Sequence, residues 1–167
     1  MRQIVSYNSE KRPHWVGDGF PLRSLLSPER SAAAASPFLL LDDAGPHHFG
    51  PKAGAPRGVG AHPHKGFETV TLVSHGEVEH RDSTGTGGVI GPGDVQWMTA
   101  GSGILHQEYH SADVTARGGA FEMVQLWVNL AAKHKSAAPG YQNMTRDLIP
   151  TVTEGAAQIR VIAGRYH

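Results

Sequence analysis

The sequence predicts an all-β fold, a sandwich or barrel of short strands, from three observations. Turn signals recur about every 8–12 residues, as they do in chains of short strands. The 21 glycines and 11 prolines are spread along the chain and not gathered into one linker. Residues 67–73 and 121–130 read as strands, the second with Val124, Leu126, Val128 and Leu130 on one face and Met123, Gln125, Trp127 and Asn129 on the other.

In chain order, Gly17-Asp18-Gly19 reads as a turn between two short extended pieces, the second ending near Leu26. Ala32 to Ala35 has helix composition but is too short for an isolated helix, so a loop or single turn is expected. Phe38-Leu39-Leu40-Leu41 predicts a short strand ended by Asp42-Asp43. Residues 47–60 lack periodicity and are expected to form a long loop at the rim of a site. After the strand at 67–73, turns at Ser74-His75-Gly76, at 84–88, at Gly91-Pro92-Gly93-Asp94 and at 100–103 separate strands over 77–82, 95–99 and 104–110. Loops are expected over 111–119 and 131–142, a helical turn over 145–148 and a last strand over 159–163.

Fifteen basic and fifteen acidic residues cancel, which argues against binding nucleic acid or an anionic membrane through overall charge. The absence of cysteine excludes disulfides, thiolate metal sites and a cysteine nucleophile. The first residues carry no signal-like apolar run, and no stretch approaches the roughly 18 apolar residues of a membrane helix, so a soluble cytoplasmic protein is expected.

The chemistry concentrates between Ala61 and His110. His62 and His64 share one face of a strand, as do His106 and Glu108 on another. Three imidazoles and a carboxylate suit a divalent transition metal: Fe(II), Zn, Ni, Cu or Mn rather than calcium or magnesium. Glu68 competes for the fourth place because it lies four residues beyond His64, on the same parity. On a straight strand that places it about 13 Å away, so Glu108 is preferred as ligand and Glu68 is expected to stand behind the ligands. His110 falls at the rim of the cavity. A lone histidine on a strand reads as surface or satisfied core, and on that ground His14, His47, His48, His75, His80, His134 and His167 are set aside. Four ligands on a metal that prefers six leave positions for oxygen or substrate; a closed structural zinc would need only the four.

Other motifs fail on inspection. Gly85-Thr86-Gly87-Gly88 lacks the lysine and helix of a phosphate loop, and Gly101-Ser102-Gly103 lacks the spacing of a hydrolase elbow. Trp97 and Trp127 read as core or cavity wall, since no basic groove accompanies them.

Several stretches carry a family resemblance: residues 62–70 from His62-Pro63-His64-Lys65-Gly66-Phe67-Glu68, residues 76–83, residues 91–108 from Gly91-Pro92-Gly93-Asp94 to His106-Gln107-Glu108, and Gln125-Leu126-Trp127-Val128-Asn129-Leu130. Together with residues 15–21 and 37–42 they resemble the bacterial members of the pirin family, in the cupin superfamily. The resemblance implies a cupin double-stranded β-helix and an iron held by His62, His64, His106 and Glu108, with Glu68 not a ligand. It also implies association with quercetin 2,3-dioxygenase activity, or in other members with transcriptional co-regulation. Pirins carry two cupin domains. Residues 1–155 are expected to be the N-terminal one and residues 156–167 the start of a truncated or absent second, with a homodimer covering the face so exposed. Two readings follow: an iron dioxygenase in which Glu108 also takes the proton of a flavonol, and a non-enzymatic iron-bearing regulator acting through protein partners. A path of substrate width to the metal separates them.

Overall fold

A computed structural model describes residues 13–166; Ile4-Val5 and His167 lie outside the described residues. Two β-sheets face each other. The larger has seven strands in the order β1-β2-β3-β10-β5-β8-β11 and the smaller four in the order β4-β9-β6-β7. Their ranges are β1 His14–Val16, β2 Phe20–Leu26, β3 Phe38–Phe49, β4 Gly58–His64, β5 Phe67–His75, β6 Val78–Asp82, β7 Gly87–Ile90, β8 Val95–Thr99, β9 Ile104–His110, β10 Gly119–Asn129 and β11 Gly140–Met144. The two sheets form the double-stranded β-helix of a cupin. A separate hairpin, β12 Thr151–Glu154 with β13 Ala157–Arg160, follows.

The core lies between the sheets. Phe20, Leu22, Ala44, Phe49, Val73, Phe121 and Met123 from the large sheet meet Val78 and Ile90 from the small one. Burial of such side chains contributes about 1.5–3 kcal/mol each. The two faces expected of residues 121–130 are the two faces of β10. Met123 packs in the core, whereas Leu126 and Val128 pack outside the large sheet with Val70, Leu72, Val95 and Trp97, against Ile149 and Ile162 of the C-terminal segment.

Several expectations are corrected. Residues 28–35 form the helix α1 (Pro28–Ala35), because Pro28 presets the first helical turn and Pro37 follows the helix end, and the helix packs on β3. Asp42-Asp43 do not end β3, which runs to Phe49. It is paired on both edges, so Asp42 faces Ser24 on one side and Gln125 on the other. The loop expected over 47–60 therefore shrinks to the residues between β3 and β4. Residues 111–119 hold a helix, α2 (Ala112–Arg117), whose first turn is capped by the Ser111 hydroxyl accepting from the Val114 N–H at 3.1 Å. The loop expected over 131–142 runs into β11, β12 follows it, and the last strand is β13, which begins before residue 159 and ends at Arg160. Among the described residues no helix is long and apolar enough to cross a membrane.

Candidate metal centre

Strands β4 and β9 pair with His62 directly opposite His106 and His64 opposite Ile104. Between Val59 and His62 the register slips, three steps on β4 matching two on β9. This bulge reverses parity, so Val59 packs toward the core while His62 and His64 also face the cavity. Bulges next to sites re-aim side chains, and here the bulge supplies an acceptor as well: His62 Nδ1–H donates to the Gly60 carbonyl at 2.8 Å. A carbonyl only accepts, so the proton sits on Nδ1 and Nε2 keeps its lone pair.

His106 is oriented from behind. His80 Nε2 lies 2.9 Å from Asp82 Oδ2, and His80 Nδ1 lies 3.2 Å from His106 Nδ1. The carboxylate accepts from His80 Nε2–H, and in the tautomer that keeps His80 Nδ1 unprotonated that nitrogen accepts from His106 Nδ1–H. His106 Nε2 is thereby left with its lone pair, and it is buried without a hydrogen-bond partner. Three threads hold Asp82 in place: the Thr84 N–H at 2.8 Å and the Thr84 and Thr86 hydroxyls at 2.6 and 2.8 Å. Burial would raise the Asp82 carboxyl, but the hydrogen bonds from Thr84, His80 and Thr86 outweigh it and hold it at about 2. Tyr141 stacks on His80 at 4.4 Å.

Nitrogens of His62, His64 and His106 all lie within 4.8 Å of one another. Burial, then the neighbouring His62, push His64 down to about 4, and burial with His62, His64 and His80 pushes His106 down to about 2. Both imidazoles are neutral at pH 7, the form that ligates a metal. Orphaned Nε2 of His106, among two further imidazoles, is what a cation would satisfy.

Glu108 sits one pleat along β9 and is buried. Its oxygens fall within 4.8 Å of His80 and His106, a second potential ligand group, but do not join His62 and His64 in one set at that spacing. Gln96 Nε2 donates to Glu108 Oε1, and Gln125 Nε2 donates to Oε2 at 3.2 Å. Burial raises the Glu108 carboxyl, opposed by His80, Gln125, His62 and Gln96. His62, His64 and Glu108 line a cavity of about 440 Å³ whose walls come from β1, β2, the start of α1, β3 and β10. Of residues 47–60 only Val59, on β4, lines it.

Two residues stand elsewhere than expected. Glu68 is on the outer face of the large sheet, accepting from the Thr99 hydroxyl at 2.7 Å. Parity from His64 does not carry over, because Gly66, with φ +79, turns the chain between β4 and β5. His110 is not at the rim. It is buried in the core, stacked on Phe121 at 4.4 Å, with Nε2–H donating to the Gly19 carbonyl at 2.9 Å. Conversely, His80 was set aside and belongs to the site. The signal was present: His80 and Asp82 share a face of β6 by the same alternation that singles out His62 and His64.

The Pirin family model matches residues 19–128. A Pseudomonas aeruginosa protein named as a candidate quercetin 2,3-dioxygenase is 58% identical over 99% of this chain and 58% of its own length. Human pirin is 42% identical over 77% of this chain and 40% of its own. Among solved structures, a quercetin 2,3-dioxygenase from Acinetobacter baumannii superposes with a TM-score of 0.94 at 50% identity, covering 99% of this chain and 58% of that one. The chain spans about half the length of the curated relatives it matches. With the family model covering most of the chain and the P. aeruginosa relative aligned along nearly all of it, the chain belongs to the pirin family.

Proposed function

We propose that the protein is a metal-dependent cupin dioxygenase that uses iron to open flavonols such as quercetin with molecular oxygen. The observation that carries this reading is the cavity of about 440 Å³, which reaches His62, His64 and Glu108 directly and falls in the size range of small-molecule sites. A purely regulatory metal site requires no such space. The A. baumannii and P. aeruginosa relatives, by their names, support the substrate class.

His62, His64, His106 and Glu108 would hold the metal, which supplies a redox-active Lewis acid with open positions. Each protein group then has a task. His62 and His106 present Nε2 because Gly60 and His80 hold their Nδ1 protons. Glu108, held at both oxygens by Gln96 and Gln125, accepts the proton of the flavonol hydroxyl. Phe20, Leu22, Val59, Met123 and Trp127 form an apolar wall that excludes water.

The test is metal analysis and oxygen uptake with quercetin on the same preparation. About one iron per chain and quercetin-dependent oxygen consumption are expected. A fully loaded protein with no turnover across a panel of flavonols and catechols would remove the enzymatic reading.

A further inference from the structure

A row of polar side chains crosses the inner face of the large sheet. Strand register puts Gln96 opposite Thr71, Thr71 opposite Gln125, Gln125 opposite Asp42, and Asp42 opposite Ser24. The row spans five strands. Its first half serves Glu108: both glutamine amides donate to that carboxylate, and Gln125 Oε1 accepts from the Trp127 indole N–H at 3.2 Å. That amide is committed.

The second half has no such commitment. Ser24 Oγ donates to Asp42 Oδ1 at 2.6 Å, and among the described residues no other hydrogen bond reaches the Asp42 carboxylate. Gln125, directly opposite, turns toward Glu108 instead. Yet Asp42 is only 5% exposed. A buried carboxylate with one donor is costly, and burial raises its carboxyl above the usual range, against Ser24 and the nearby His14. Asp42, Ser24 and His14 line the same cavity as His62, His64 and Glu108.

Gln125 spans the two carboxylates, with its amide on Glu108 and its β3 neighbour Asp42. One strand spacing plus the reach of that side chain puts Asp42 on the order of 10 Å from Glu108. One aromatic ring does not bridge this; a flavonol with a hydroxylated pendant ring does.

We propose that Asp42, oriented by Ser24, accepts a hydrogen bond from a substrate hydroxyl remote from the metal ligands, so that the cavity selects aromatics hydroxylated at both ends. The proposal rests on the flavonol reading and names its specificity determinant. Asp42 binds substrate and takes no part in the proton transfer at Glu108.

The experiment measures anaerobic binding of two flavonols to metal-loaded protein: quercetin, whose pendant ring bears hydroxyls, and galangin, whose pendant ring bears none. The wild type is expected to prefer quercetin by about tenfold, the scale of one hydrogen bond to a charged group. Asp42→Asn and Ser24→Ala are expected to lose most of that preference while metal content and galangin affinity stay as in the wild type. Equal wild-type affinities, a preference that survives both substitutions, or parallel loss of both flavonols would overturn the anchor and leave the dioxygenase reading standing. A wild type that binds neither flavonol would overturn both.

Discussion

His106 and His110 lie four residues apart on the same face of β9, both buried, and each has one ring nitrogen without a hydrogen-bond partner. Their surroundings differ completely. Opposite His106 stand His62 on β4 and Asp82 on β6, and its free nitrogen lies with two other imidazoles. Opposite His110 stands Val78, and its ring packs among Phe20, Phe49 and Phe121. Burial and an orphaned nitrogen therefore do not by themselves mark a candidate metal ligand. Cross-strand neighbours do, because only they bring a second and third donor within reach.

The most severe test of this contrast is His106→Ala, which is expected to abolish bound metal, whereas His110→Leu retains it in full; metal analysis of both variants decides, and loss of metal in His110→Leu would erase the distinction. Next comes the support behind His106. Asp82→Asn frees His80 to turn and is expected to weaken metal affinity about 10–100-fold, read by competition with a chelator, while the ligands themselves are untouched.

The metal-free protein should also reveal the two depressed imidazoles through its pH dependence. Unfolded histidines titrate near 6.5, but His64 and His106 are held at about 4 and about 2 in the fold. The unfolded chain therefore binds more protons below 6.5, and stability present above that pH is lost as pH falls toward 4 and below. The urea midpoint is expected to drop between pH 7.5 and 5, and less so in His64→Ala.

A smaller effect separates the two histidines by stability. His110→Leu leaves the Gly19 carbonyl without its donor, at a cost of about 1–3 kcal/mol, seen in the urea midpoint. The least effect is expected from Glu68→Gln: it touches only Thr99 on the outer face, so metal content should match the wild type.

What could be read along the chain was what strand periodicity encodes. Alternation pairs His62 with His64 and His106 with Glu108, and it separates the inner from the outer face of β10. Reading failed where the chain changes direction or register. Glu68 followed parity from His64 until the turn at Gly66 invalidated it, and no residue in the one-dimensional pattern announces the bulge at Gly60 and Ala61. Asp42-Asp43 read as a strand end because two acids rarely suit a strand. They continue one because Asp42 has Ser24 across from it and Arg23 pairs with Asp43 at 2.5 Å. The helix α1 was too short to stand by local propensity and is completed by packing on β3.

Composition and period 2 alone determined an all-β chain with histidines and a carboxylate clustered on two strands, since face parity within a strand is a local property of the backbone. Tertiary structure alone decided which of those groups meet, that His80 and Asp82 stand behind His106, and that Asp42 completes a polar row beside the cavity. Those relations depend on which strands become neighbours and in what register, and that is settled by burying the whole core at once.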